Sequence, residues 1–324
     1  MNKLLMTTSA LVMGFAGAAS AGEWETGVSG FMLGGVGLTD GDNQNGIGVM
    51  RDGEVHFDAR LAADNGIVFA AHAELEAFTD GADNDQIDEN WLRVIGAFGL
   101  IEIGSDATVG YEQVTALGIV AAPEGRIGYA DASGLTTAAL VSESAYVGIA
   151  EDGIGIHYST PDFGGFQAHA SYLPSLDSDG VNDTNNFQFD DNNDEAWSVA
   201  ATFVREFGDF GVGVGGHYSD IEGVRGEQLG IVGNVSYMGF TAAGFFEDDF
   251  NGDEFGVGLQ YQTGPWTVAG GYTNSREFDN QIASAWVTYD AAPGVSLTAG
   301  VEYADDDTIS EEDFGGAAYI AVFF

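Results

Sequence analysis

Histidine is the residue type in this chain best suited to acid–base or metal chemistry, and the chain has 5 of them. They do not form the H-E-x-x-H spacing that places two imidazoles on one helix face around zinc. No G-x-S-x-G turn presents a nucleophilic serine either. Each histidine instead falls on the polar side of an alternating segment, which favours solvated or hydrogen-bonded side chains over a metal site. The residues are His56, His72, His157, His169 and His217.

The glycine-rich stretch "GVGVGG" (211–216) formally matches the dinucleotide-binding pattern G-x-G-x-x-G. That pattern works only where a helix follows and meets the phosphate with its N-terminus. Here the polar stretch "HYSDIEGVRG" follows, without helical periodicity. Small residues facing an internal space explain these glycines. We therefore predict that the protein is not an enzyme and requires no cofactor.

Acidic clusters could supply the roughly six to eight oxygen ligands that Ca²⁺ takes. They are "DDNNDE" (190–195), "EDD" (247–249) and "DDD" (305–307), and none has the spacing of an EF-hand loop. One interpretation is a solvated, salt-adapted external surface. The other is a set of Ca²⁺ sites that bridge loops to each other or to anionic lipid.

The charge balance excludes nucleic acid as a partner. The chain has 51 Asp and Glu against 8 Lys and Arg, a formal net charge of −43, whereas phosphate binding requires clustered Lys and Arg. With 45% hydrophobic residues, the chain still has enough apolar surface to fold.

The first residues predict a secretory signal peptide. Lys3 provides the basic start, an apolar run begins at Leu4, and Ala19-Ser20-Ala21 is an A-x-A cleavage site. An uncleaved anchor is disfavoured, because the run is shorter than the roughly 20 residues of a spanning helix. We assign residues 1–21 to the signal and residues 22–324 to a single domain. With 0 Cys, this exported domain contains no disulfide.

Strict alternation of apolar and polar residues dominates that domain. In "EVHFDARLAAD" (54–64), Val55 and Phe57 fall on one face and Glu54 and Asp58 on the other. The same pattern recurs in "FGVGLQYQ" (255–262) and "VSLTAGVEY" (295–303). Each segment has about ten residues, which matches the ~9–11 of a transmembrane β-strand rather than the ~5–6 typical of soluble sheets.

Connections between these segments alternate between tight turns and long polar loops. The tight turns are "DNG" (64–66), "FG" (98–99), "PDFGG" (161–165), "FGD" (207–209), "MG" (238–239), "GP" (264–265) and "APG" (292–294). The first long loop is predicted over residues 39–52. Short turns at one end and long loops at the other are typical of membrane barrels. The pattern predicts an all-β, transmembrane antiparallel barrel of about sixteen strands.

One connection is much longer than the others, because about 48 residues (105–152) pass before alternation resumes. An insertion of that length in a compact domain is usually functional. Folded inward, it would narrow the water-filled space that a barrel of this size encloses.

Two stretches resemble the general bacterial porins, particularly their alphaproteobacterial branch. "DENWLRVIGAFGLIEIGSD" (88–106) resembles the strand–turn–strand unit before the third loop, and "IHYSTPDFGGFQAHASYLP" (156–174) resembles the hairpin after it. The resemblance implies a homotrimer in the cell outer membrane, in contact with lipid and lipopolysaccharide. It also implies a third loop (105–152) folded into each pore, through which small hydrophilic solutes diffuse passively.

In porins the constriction sets basic wall residues against acidic residues of the third loop. The resemblance therefore implies a set of candidate constriction residues. On the wall they are Arg60, His56 and Arg93, and on the loop Asp106, Glu112, Glu124 and Asp131. Arg126 also lies in the loop. His157 occupies a strand position where relatives often carry Arg, so the basic wall is expected to be weak.

Acidic residues dominate the inward parity of the second and third strands. They are Glu54, Asp58, Glu74 and Glu76, against Arg60, His56 and His72. Loop charges outside the membrane are screened within ~8 Å, so lumen charges matter most. We predict modest cation selectivity.

Aromatic residues define two further expectations. The five tryptophans are predicted to lie in belts at the membrane interfaces; they are Trp24, Trp91, Trp197, Trp266 and Trp286. The uncharged end "GGAAYIAVFF" (315–324) is predicted to pair with the first strand, because a barrel has no free edge. In porins this terminal strand is also recognised by the outer-membrane assembly machinery, a role that the resemblance gives to Phe324.

Two alternatives stay open at this point. A substrate-selective channel of related architecture would need binding residues on an aromatic file or in the third loop. A secreted all-β adhesin would dissolve without detergent.

Overall fold

The computed structural model describes residues 22–41, 45–77, 87, 89–105, 114, 117, 154–174, 195–221, 226–248, 252–275, 280–306 and 311–324. No helix within these ranges is long and apolar enough to cross a membrane. The predicted signal peptide (1–21) lies outside them. It stays a prediction, and so does the limit of the domain at residue 22.

Sixteen antiparallel strands form one sheet that closes into a barrel. They are Trp24–Gly41 (β1), Asn45–Ala62 (β2), Val68–Glu76 (β3), Asn90–Gly96 (β4), Gly99–Ser105 (β5), Ile154–Ser159 (β6), Phe166–Leu173 (β7), Ala196–Phe207 (β8), Phe210–Ile221 (β9), Gly226–Tyr237 (β10), Phe240–Asp248 (β11), Asp253–Thr263 (β12), Trp266–Ser275 (β13), Asn280–Ala292 (β14), Val295–Asp306 (β15) and Glu311–Phe323 (β16). Each strand pairs with its neighbours in sequence, and β1 pairs with β16. The predicted fold class and strand number are confirmed.

The barrel closes through the last residues of the sequence. Phe323 lies opposite Phe31 in the register between β1 and β16. The amide of Phe324 donates to the carbonyl of Gly30 at 3.0 Å, and the amide of Gly30 donates back at 3.1 Å. The uncharged final stretch is therefore a paired seam, as the alternation predicts.

Seven short connections join each even-numbered strand to the next odd-numbered strand, all at one end of the barrel. The tight turn between β10 and β11 shows why glycine is needed there. Met238 and Gly239 both have positive φ, at 48° and 86°, as a two-residue type I′ hairpin requires. A Cβ on Gly239 would also lie 2.5 Å from the carbonyl oxygen of Gln262.

The first hairpin differs from the prediction. Residues 39–52 were expected to form a loop, but β1 and β2 each run for 18 residues and stay paired as far as Asp40 and Asn45. The ladder satisfies the backbone groups even where the side chains are polar or absent. Alternation continues through Ile47 and Val49, and the high glycine content concealed it.

The distribution of side chains is the reverse of that in a soluble protein. On β12 the outward Val257 and Leu259 are 55% and 69% exposed, whereas the inward Glu254 is 6% exposed. On β15, Val301 is 46% exposed and its inward neighbour Glu302 only 1%. An apolar outer band around a polar interior is the arrangement that a lipid bilayer stabilises.

The five tryptophans are divided between the outer and inner faces of the barrel. Two of them contradict the prediction that all five lie in belts at the membrane interfaces. Trp24, Trp197 and Trp266 are exposed on the outside, whereas Trp91 and Trp286 are buried inside the barrel. The strand register decides their direction: Trp91 lies opposite His72, and Trp286 lies opposite Ala269 and Gly300. The Trp286 ring is tilted against that of Tyr319, with centroids 6.3 Å apart.

Deletion of Phe324 removes both seam hydrogen bonds to Gly30. We expect a markedly lower yield of folded protein in the membrane, while the channels that do insert keep their conductance. The yield is measured as the heat-sensitive fraction on SDS gels. An unchanged yield would contradict the role of the seam.

The matched control is Phe324→Ala, which keeps the backbone bonds and removes only the ring. A high yield for this variant assigns the effect of the deletion to the seam bonds. Equal losses in both variants assign it to the aromatic side chain.

Candidate functional site

The predicted lumen residues of β2 and β3 lie on the inner face of the barrel. The register places Asp58 opposite His72 and His56 opposite Glu74, and Glu54 lies opposite Glu76. Because side chains alternate along a strand, one continuous patch holds all six. We call it the β2–β3 patch; the contribution of its residues to a constriction stays a prediction.

Within the β2–β3 patch, carboxylates and imidazoles interleave. Nε2 of His56 lies 2.9 Å from Oε2 of Glu54, and its Nδ1 lies 3.6 Å from Oε1 of Glu74. Nδ1 of His72 lies 2.7 Å from Oδ1 of Asp58, and its Nε2 lies 2.6 Å from the same Glu74 oxygen. Glu74 is therefore shared by both rings.

The adjoining wall holds the predicted basic residue Arg93. Its guanidinium forms an ion pair with Glu102 on β5 and lies 3.5 Å from the ring centroid of Trp91. Trp91 in turn stacks on His72, with ring centroids 4.8 Å apart. The charge of Arg93 is thus balanced within the wall, so it projects little field into the pore.

Arg60 differs from Arg93 in this respect. It lies on the inner face of β2, opposite Glu25 on β1 and Ala70 on β3. It is half-buried, and among the described residues it has no ion-pair partner within contact distance. Of the two predicted wall arginines, Arg60 is the one whose charge faces the lumen.

Hydrogen-bonded histidines continue around the wall on β6 and β7. Nδ1 of His157 lies 2.9 Å from the hydroxyl of Ser171. His169 bridges Ser159 at 2.8 Å and Thr202 at 3.1 Å. These contacts hold the rings against the wall through hydroxyl groups rather than carboxylates.

The third loop reaches the inner wall on the opposite side. Val114 and Leu117 pack against Ala200 and Val232 of β8 and β10, and Asn234 donates to the carbonyl of Leu117 at 2.8 Å. These contacts place part of the predicted constriction loop (105–152) inside the barrel, as expected. The rest of that loop lies outside the described residues.

Glycines of β9 make room for this contact. A Cβ on Gly215 would lie 2.8 Å from Cδ1 of Leu117, and one on Gly213 would lie 3.1 Å from its Cδ2. Both glycines belong to the stretch "GVGVGG", so that stretch forms a shallow seat for the loop. Its resemblance to a dinucleotide-binding pattern has no structural basis, since the stretch is entirely strand.

The acidic loop candidates cannot be placed on this geometry. Four residues lie outside the described part of the chain: Asp106, Glu112, Glu124 and Asp131. That they face Arg60 across the pore stays a prediction.

Two lumen carboxylates were missed by sequence reasoning. Glu247, which the sequence suggested to be part of an external acidic loop, is a buried inner-face residue of β11 in contact with Gln228. Glu254 is also buried on the inner face. Both residues alternate with exposed apolar neighbours, but their proximity to polar loops obscured that pattern. Glu302, which the alternation of residues 295–303 places on the polar side, is buried on the inner face as expected.

A family model described as Gram-negative porin matches residues 7–309. The chain belongs to the Gram-negative porins. No curated protein sequence matches it significantly. The family and the closed barrel together place this porin in the outer membrane as a channel, which excludes the secreted adhesin.

Solved porin structures show the same fold. A variant of the Rhodopseudomonas blastica porin superposes with a TM-score of 0.68 at 13% identity, covering 93% of this chain and 100% of that chain. A second engineered variant of the same porin gives a TM-score of 0.67 at 14% identity, with the same coverage. The low identity means that these structures support the architecture and not individual pore residues.

Substitution Gly215→Val should narrow the pore. The new side chain occupies the position of the Leu117 side chain and pushes the third loop toward the pore axis. We expect a lower single-channel conductance in planar bilayers. The control is Gly233→Val on the neighbouring strand, where a Cβ would meet only a backbone oxygen at 3.6 Å. An unchanged conductance for Gly215→Val would contradict the contact between Leu117 and the glycines of β9.

Proposed function

We propose that this porin is a passive diffusion channel for small hydrophilic solutes with a preference for cations. The observation that carries the proposal is the composition of the described inner face. Its carboxylates are Glu25, Asp52, Glu54, Asp58, Glu74, Glu76, Glu102, Glu206, Glu247, Glu254, Asp290 and Glu302, and its arginines are Arg60 and Arg93.

The physical reason is electrostatic. Charges that line a water-filled passage between low-dielectric walls concentrate mobile ions of the opposite sign. Because Glu102 neutralises Arg93, Arg60 is the main positive charge opposing this effect. No cofactor is needed for such a channel, and Ca²⁺ binding by the acidic loops stays a separate prediction.

Substitution Arg60→Gln should therefore increase cation selectivity. A unit charge about 6 Å from a permeating ion in water contributes about 0.7 kcal/mol, with opposite signs for cations and anions, which corresponds to about a tenfold change in the ratio of cation to anion permeability. The ratio is obtained from the reversal potential in a salt gradient. Anion preference of the unmodified channel would overturn the proposal.

The matched control is Arg205→Gln, which removes the same charge from the outer face. Arg205 is exposed near a short turn and donates to the carbonyl of Gly164 at 3.1 Å. Its loss should leave the reversal potential unchanged. An equal shift in both variants would mean that total charge, and not the lumen, sets the selectivity.

We further propose a homotrimer that contacts outer-membrane lipid and lipopolysaccharide and is inserted by the assembly machinery. Membership of the porin family and the exposed apolar outer band support this. Purified protein should require detergent and migrate as a heat-sensitive trimer on SDS gels. A soluble monomer without detergent would contradict it.

Saturable block of the conductance by a single solute would indicate a substrate-selective channel instead of a general diffusion channel.

A further inference from the structure

The β2–β3 patch holds two imidazoles and a carboxylate whose ligating atoms converge. One atom from each of His56, His72 and Glu74 lies within 4.8 Å of the other two. Two histidines and one carboxylate are a ligand set that divalent transition metals use in proteins. We propose that these residues bind one Zn²⁺-type ion on the lumen wall.

The hydrogen bonds around the two rings point to the same three atoms. Asp58 holds Nδ1 of His72, and Glu54 holds Nε2 of His56, at 2.7 and 2.9 Å. The remaining nitrogen of each ring is turned toward Glu74. A carboxylate that accepts the distal N–H of a metal-binding histidine is the usual support for such a ligand, because it fixes the tautomer and the ring direction.

The two contacts of His72 require either a second proton or a metal ion at this point. Both of its nitrogens face carboxylate oxygens, at 2.7 Å and 2.6 Å. A neutral imidazole carries one N–H, so it can satisfy only one of the two oxygens. Either a second proton or a metal ion must lie on the Glu74 side. A metal ion there takes the place of that proton, which leaves to solvent.

Side-chain rotations would let the three ligand atoms, which lie within 4.8 Å of one another, surround a tetrahedral ion. Metal–ligand bonds of about 2.0–2.1 Å put neighbouring ligand atoms about 3.3 Å apart. The nitrogens of His72 and His56 lie 2.6 and 3.6 Å from the Glu74 oxygen, on either side of that value. Stacking on Trp91 fixes the plane of the His72 ring.

The site is open on one side. The side chains of His56 and Glu74 are 15% and 14% exposed, whereas that of His72 is 2% exposed. An ion would enter from the lumen and keep a fourth position for water. Ca²⁺ and Mg²⁺ should not compete at equal concentration, because they prefer oxygen ligands only.

Equilibrium dialysis of the detergent-solubilised porin against ZnCl₂ tests the proposal directly. With millimolar Ca²⁺ present to occupy the acidic loops, we expect one Zn²⁺ bound per chain. His56→Gln, His72→Gln and Glu74→Gln should each weaken binding at least tenfold. Asp58→Asn should weaken it about tenfold or more while keeping the stoichiometry, since supporting carboxylates typically contribute 10- to 100-fold.

The control variant is His169→Gln, which removes a lumen histidine bonded only to hydroxyl groups. It should bind Zn²⁺ like the unmodified protein. Heat-sensitive migration shows that each variant is folded. The proposed metal site would be wrong if Zn²⁺ binding were not saturable, or if the His56→Gln and His72→Gln variants bound Zn²⁺ as tightly as the unmodified protein.

A bilayer recording gives an independent readout. Zn²⁺ on the wall adds positive charge, so cation preference should fall on its addition and return with a chelator, in the unmodified channel but not in His72→Gln. The dialysis result does not depend on selectivity, so failure of the cation-preference proposal and failure of the metal site can be told apart.

Discussion

Backbone pairing around the whole ring is the constraint on which the rest of this structure depends. A bilayer offers no water to unpaired amides and carbonyls, so a sheet can cross it only when no edge remains. Here the closing pair is β1 with β16, ending in the reciprocal bonds between Gly30 and Phe324. Once the ring is closed, the register is fixed, and with it the side of the wall that each residue faces.

Closure also explains why the interior is polar. The outer face meets lipid and needs no partner, so apolar residues such as Leu259 can be widely exposed there. The inner face is wet, and small residues are useful where another segment approaches. Gly213 and Gly215 illustrate this, because the third loop rests on them through Leu117. The position of this part of the loop therefore depends on the absence of side chains at Gly213 and Gly215.

Local alternation was enough to predict the barrel, the strand number and the inward direction of Glu54, Asp58 and His72. Properties that depend on the neighbouring strand were not accessible in this way. Arg93 seemed to be a free basic wall residue because Glu102 faces it only after β4 and β5 pair. Trp91 was assigned to the lipid interface for the same reason. The length of β2 was missed because glycine and polar residues can continue a ladder without any apolar signal.

The negative charges of the inner face can be compensated in two ways. Where a carboxylate such as Glu206 is exposed on the inner face, it borders a passage filled with mobile ions, and cations from solution can compensate its charge. On β2 and β3 the carboxylates are too close for this: Glu54, Asp58 and Glu74 surround two imidazoles within hydrogen-bonding distance. There the compensation must be fixed in place. The proposed cation preference and the proposed metal ion would thus both follow from one surplus of negative charge, and the spacing of the carboxylates would decide which of the two occurs.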